Sequence, residues 1–204
     1  ASDLHDETCQ HSWWMIANLS LWRATGDHRH LEQVERTFYN HFLFAQLHRG
    51  EDGGFCALGD VDQGFRGQHN YICCDNEGFF GLLELIRQAV TELPEGVAVN
   101  LWLPVEAVVH GLRLRVEPQY PVAGRVTIRI TGGTSRELTL RLRLPAYAAV
   151  SLNGQPVGSW TRVWSAGDVV RAEFPLPMRV AADNTGRGAR SVPVMVDGVE
   201  QPAK

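Results

Sequence analysis

Two hydrophobic periods divide the chain, and the change falls near Pro94-Glu95-Gly96. Before it the apolar residues recur at three- and four-residue steps, the spacing that lines up one face of a helix. From Glu7 to Arg23 the recurring positions are Trp13 and Ile16, then Met15, Leu19 and Trp22. Gly26-Asp27 interrupts them, since glycine closes a helix and aspartate caps the next. A second helix is predicted over His28 to His48, with Leu31, Val34, Phe38, Phe42 and Ala45 on one stripe. A third is predicted from Asp75 to Leu93, with Phe79, Leu82, Leu83, Ile86 and Val90 facing inward. Between them, residues 50 to 72 are rich in Gly, Asp and aromatics, and a connection of about 20 residues is usually functional.

After Gly96 the period is two. Val97, Val99, Leu101 and Leu103 alternate with Ala98, Asn100 and Trp102. Leu112, Leu114 and Val116 alternate with Arg113 and Arg115, and Val126, Ile128 and Ile130 with Arg125, Thr127 and Arg129. Leu138, Leu140, Leu142 and Leu144 alternate with Thr139, Arg141 and Arg143. Such strands bury one face and wet the other. Gly132-Gly133 and Asn153-Gly154 are placed as hairpin turns. The fold class expected is therefore helices followed by an antiparallel β-sandwich. Three helices with broad apolar stripes do not close a core alone, so the helical part is expected to be the tail of a larger all-α domain. The divisions are 1–94, helical; 95–180, sandwich; and 181–204, an irregular or truncated tail.

Composition narrows the function. The 204 residues are 44% hydrophobic and 21% charged, a globular balance, and the net charge of −4 leaves no basic footprint for nucleic acid. No apolar run approaches the roughly 18 residues of a membrane span. Four cysteines, at 9, 56, 73 and 74, crowd the first third. Adjacent Cys73-Cys74 would form a strained disulfide, so clustered thiols here point to metal or catalysis.

The unusual features are Glu7-Thr8-Cys9 and Cys73-Cys74. On a regular helix, positions i and i+2 point about 200° apart. Glu7 and Cys9 therefore converge only where the chain is entering its helix, and the cysteine pair likewise needs a loop-to-helix junction. Three thiols and a carboxylate are ligand types that zinc accepts, although the spacing is not that of a standard structural zinc site. Cys56 reads as a small buried thiol rather than a ligand. His5, His11 and His69 lie near the motifs, and His69 and Tyr71 are the better candidates for substrate hydroxyls. Trp13, Trp14 and Trp22 read as helix core, Trp160 and Trp164 as strand packing.

With these residues in hand, the chain resembles glycoside hydrolase family 127 and its relative family 146, whose founding activity is β-L-arabinofuranosidase. Glu7-Thr8-Cys9 and Cys73-Cys74, each opening a helix, carry the resemblance. So do Gly96-Val97-Ala98-Val99-Asn100-Leu101-Trp102-Leu103-Pro104 and Ala166-Gly167-Asp168-Val169-Val170. It spans roughly residues 5 to 180 and implies an (α/α)6-barrel tail before the sandwich.

The resemblance also implies a zinc ion held by Glu7, Cys9, Cys73 and Cys74, with Cys73 as nucleophile in a retaining, two-step hydrolysis. It places the general acid/base, a glutamate, upstream of Ala1, which would leave this chain inactive alone. The implied partner is a plant-derived oligosaccharide or glycoconjugate. A homodimer and a bacterial cytoplasmic or periplasmic location are further expectations. Asp75-Asn76-Glu77-Gly78 departs from the Pro-Pro-Asn of the founding members. Two other readings stand beside this one: a non-catalytic zinc-stapled scaffold that binds sugar, and a relative acting on another rare sugar.

Overall fold

A computed structural model describes residues 7–47, 54–55, 72–143, 151–152, 158–176, 194–196 and 199–201. Helix α1 spans Thr8–Thr25 and stops where expected. Gly26 takes a left-handed conformation (φ 71°), and its N–H donates to the Trp22 carbonyl at 2.7 Å. Asp27 then accepts the Arg29 N–H at 2.9 Å as α2, Arg29–Asn40, begins.

Helix α2 is shorter than its stripe suggested. Leu31, Val34 and Phe38 are buried on it, but Phe42 and Ala45 reach the same core from a 3-10 turn, Phe42–Ala45. Short strands β1, Gln46–Leu47, and β2, Gly54–Phe55, pair antiparallel beyond it.

Helix α3 spans Ile72–Ala89, so Val90–Leu93, read as its last turn, is instead strand β3. Asn100 explains the switch. Its backbone N–H donates to the Ala89 carbonyl at 2.8 Å, and its side-chain amide donates to Gln88 O and Thr91 Oγ1, both at 2.9 Å. These bonds satisfy carbonyls that the helix end leaves open.

The inward face of α3 is only partly the predicted one, with Leu82 packing against the helical core as expected. Cys74, Gly78, Gly81, Leu85 and Ala89 are buried, while Phe79 (56% exposed), Leu83 and Ile86 face outward. The helix is apolar on more than one side, and its smallest residues win the contact with α1. A Cβ built on Gly81 would lie 2.7 Å from Ser12 Oγ, so only glycine lets the two backbones approach this closely. Trp13 and Trp14, read as core, are likewise more than half exposed, and Trp13 touches Phe80. Trp22 packs against the helical core.

The rest is antiparallel-rich sheet. Strands β4 (Gly96–Val99), β5 (Val105–Val109), β6 (Leu112–Pro118), β7 (Arg125–Gly133) and β8 (Arg136–Leu142) follow one another. Next come β9 (Ser151–Leu152), β10 (Ser159–Trp164) and β11 (Val169–Glu173), then a hairpin of β12 (Val194–Val196) and β13 (Val199–Gln201). Four strands order as β10-β8-β4-β3, with β4 parallel to β8. Five order as β5-β6-β7-β11-β9, all antiparallel.

The alternating residues do what the pattern predicts. Leu112, Leu114, Val116, Val126, Ile128, Ile130, Leu138, Leu140 and Leu142 share one core with Val97, Val99, Trp102 and Trp164. Several arginines between them pair with carboxylates on the wet face, as Arg115 does with Glu106 and Arg129 with Glu117. Trp164 is buried and donates its indole N–H to Leu138 O at 3.0 Å, and Trp160 meets it edge-on.

Three details differ from the pattern. Leu101 and Leu103 lie beyond the end of β4 and join the helical core. Gly132-Gly133 ends β7, and the chain there crosses to the other sheet, because β7 and β8 are not neighbours. The tight hairpin turn is His110-Gly111 between β5 and β6, where both residues have positive φ, 49° and 80°. Asn153-Gly154 lies outside the described residues.

Arg143, expected on the wet face, is buried. Its guanidinium pairs with the Glu35 carboxylate of α2 and donates from Nε to Asn100 O at 2.7 Å. Glu35 also accepts the Trp102 N–H at 3.4 Å, and the Tyr39 hydroxyl donates to Trp102 O at 2.9 Å. Burial pushes the Glu35 carboxyl upward, while Arg143 and the Trp102 N–H pull the other way. This knot fastens α2 to the segment that leads out of β4.

Candidate metal centre

The packing of α1 on α3 brings two helix starts together. Glu7 is the last extended residue before α1 (φ −106°, ψ 138°), and Cys9 is the second residue inside it. The break in helical geometry between them is what lets side chains two apart converge. Cys73 and Cys74 occupy the first turn of α3. The Gly81–Ser12 contact further along the same helices sets how near the two starts can lie.

One ligand atom from each of Glu7, Cys9, Cys73 and Cys74 lies within 4.8 Å of all the others. A tetrahedral zinc with bonds of about 2.3 Å to sulfur has ligand–ligand edges of roughly 3.8 Å, so only a small contraction separates the two geometries. Burial is uneven. Cys74 is buried, Glu7 and Cys9 are half-buried, and Cys73 is exposed.

The electrostatics suit a cation. Burial, helped by a hydrogen bond to Glu7 and by the charges of Cys74, Glu7 and Cys73, pushes the Cys9 thiol up to about 12. The Cys9 thiol donates to Glu7 Oε2 at 3.2 Å. Burial raises Cys74 as well, against the backbone N–H groups of Cys9 and Thr8, which favour its thiolate. Crowded acids of one sign hold their protons until a positive charge replaces them. The donor set of three sulfurs and one oxygen fits a borderline-soft divalent ion and not Mg²⁺ or Ca²⁺.

Not every residue singled out in the sequence can be placed. His5, Cys56, His69 and Tyr71 lie outside the described residues. His11, two residues past Cys9, stacks its imidazole on that of His41, with centroids 4.9 Å apart and planes 17° from parallel. Sequence reasoning passed over His41. It follows α2, thirty positions from His11, and no local pattern joins the two.

Helices followed by antiparallel-rich sheets thus carry, where two helices begin, a Glu/Cys3 cluster that could hold a metal ion. By fold, the chain resembles solved GH127 β-L-arabinofuranosidases over most of its length. Residues 96–178 match the family model described as Beta-L-arabinofuranosidase, GH127 middle domain.

Among solved structures, a glycoside hydrolase is 25% identical, covers 85% of this chain and superposes with a TM-score of 0.65. A GH127 β-L-arabinofuranosidase from Geobacillus stearothermophilus T6 is 20% identical over 88% of the chain, TM-score 0.63. A GH127 β-arabinofuranosidase is 24% identical over 84%, TM-score 0.61. The last two likenesses speak to fold. This chain spans about a third of the length of each of these proteins (33%, 33% and 32%). No curated protein sequence matches it.

Proposed function

We infer that this chain is part of a zinc-dependent retaining glycoside hydrolase that acts on β-L-arabinofuranosides, with Cys73 as nucleophile. The helices are then the end of an (α/α) barrel and the two sheets its appended sandwich. The observation that carries this reading is the convergence of Glu7, Cys9, Cys73 and Cys74 within 4.8 Å. The match of residues 96–178 to the GH127 middle domain supports the class of reaction.

Roles follow from burial. Glu7, Cys9 and Cys74 are the more enclosed members of the cluster and would hold the ion in place. Cys73 is the fourth ligand and the one thiol of the cluster open to an incoming sugar. A zinc ion bound there would supply positive charge that favours the thiolate, the nucleophilic form. Cys73 Sγ attacks the anomeric carbon as the glycosidic C–O bond breaks, and the leaving oxygen takes a proton from a general acid. That acid is assigned to no residue of this chain. Water, giving a proton back to that same acid group, then attacks from the face the first group left; the C–S bond breaks, the thiolate is restored and configuration is retained. The substrate proposed is a plant-derived oligosaccharide or glycoconjugate, with His69 and Tyr71 as its hydroxyl partners.

The test is Cys73→Ala in the full-length protein, assayed with an aryl β-L-arabinofuranoside alongside metal analysis. Loss of hydrolysis with zinc retained is expected, because three ligands remain. Hydrolysis that persists with zinc bound rejects Cys73 as nucleophile.

A further inference from the structure

A cavity of about 420 Å³ opens between α2 and the segment joining β6 to β7, and it shares no lining residue with the Glu/Cys3 cluster. That volume is in the range of small-molecule sites, roughly 300–1,000 Å³. Tyr39 and Tyr120 line it, with ring centroids 5.3 Å apart and planes at 78°, so two aromatic walls meet at a corner. Both are held. The Tyr39 hydroxyl is bonded to Trp102 O, and the Tyr120 ring leans on Phe174 at 6.0 Å. The buried Glu35–Arg143 pair also lines the cavity. Glu32, half-buried, and the exposed Arg36, Asn40 and Pro121 complete it.

We propose that this cavity is a second saccharide-binding site, taking a neutral mono- or disaccharide unit. Charge is the first argument. Two carboxylates, Glu32 and Glu35, and two guanidiniums, Arg36 and Arg143, line it, so its charge favours neither an anion nor a cation. An apolar ligand fits poorly, because it would strip water from the exposed polar side chains of Arg36 and Asn40. A sugar presents an apolar C–H face to an aromatic wall and hydroxyls to the polar groups beside it. Asn40, with an amide that both donates and accepts, and Arg36 supply partners of that kind. Preformed aromatic anchors reduce the ordering cost that keeps saccharide affinities weak. A site of this kind would hold a chain of sugars on the protein between cleavage events, at a distance from the reacting thiol.

Hydrogen–deuterium exchange of the full-length Cys73→Ala protein, which consumes no sugar through that thiol, tests the site. The probes are arabinobiose and xylobiose at millimolar concentration, with inorganic phosphate as the anionic control. Protection of peptides covering residues 32–40 and 119–121 by either disaccharide, and not by phosphate, is expected. The exposed pair Arg36→Ala/Asn40→Ala should raise the midpoint concentration for that protection by about tenfold, some 1.4 kcal/mol. Protection near residue 73 should be unchanged, which separates this site from the metal centre. The proposal is overturned if those peptides show no protection, if phosphate protects them and sugars do not, or if the double variant leaves the midpoint where it was. Crystals of the same protein soaked in xylobiose give an independent check. Sugar in the cavity without protection in solution is binding at crystal concentration only, and counts against it.

Discussion

The helical and β regions put similar amounts of apolar sequence to different uses. In the sheets nearly every alternating Leu, Val or Ile is buried, and the residues between them meet water. In the helices a second apolar set, including Trp13, Trp14, Phe79, Phe80, Leu83 and Ile86, lies exposed. A strand has two faces, so a period of two names the buried one. A helix that is apolar most of the way round names none, and close approach of small residues decides. That choice has a chemical consequence here. The face of α3 carrying Gly78 and Gly81 also carries Cys74, so the contact that packs the helices assembles the thiol cluster.

The largest effects that would break this contrast come from paired truncations. Trp164→Ala should cost about 3–5 kcal/mol of unfolding free energy, whereas Trp13→Ala in the same chain should cost well under 1 kcal/mol. Urea denaturation measures both, and equal costs would erase the distinction. Arg143→Ala should fall in a similar range, about 3–5 kcal/mol, since it strands Glu35 as an uncompensated buried carboxylate. Replacing both partners with apolar residues of like volume should recover most of that loss, as read by the same titration. Next in size is Gly81→Ala, expected to cost about 1–3 kcal/mol through overpacking against Ser12. It should also weaken metal binding, because it separates the two helix starts, and Ser12→Gly should restore both. A wild-type affinity for zinc in Gly81→Ala would uncouple packing from the site.

The last effect is one of pH and leaves the fold untouched. Burial raises Cys9 and Cys74, so their protons must leave when metal enters. Zinc affinity, followed by competition with a chromogenic chelator, should therefore rise with pH by about tenfold per unit for each proton released, and fall in acid. A pH-independent affinity would mean that no thiol proton is displaced on binding.

Much of this was legible in the residues themselves. The strands announced their buried faces, and Glu-x-Cys with a vicinal Cys pair announced convergent donors once placed at helix starts. What stayed hidden depended on partners far along the chain. Asn100 ends α3 eleven residues before itself, converting Val90–Leu93 from helix to strand. Arg143 sits in an alternating run like the wet arginines, and only Glu35, more than a hundred residues earlier, draws it inside. The His11–His41 stack joins two elements with no shared motif. Gly132-Gly133 has the composition of a hairpin turn, yet strand order sends the chain to the other sheet.

The central claim is that Glu7, Cys9, Cys73 and Cys74 form one metal centre. Zinc K-edge X-ray absorption on the full-length protein reads that shell directly. Three sulfur scatterers at about 2.3 Å and one oxygen at about 2.0–2.2 Å are predicted, with one sulfur lost in Cys9→Ser. A shell of nitrogen and oxygen alone, or no stoichiometric zinc, would contradict it.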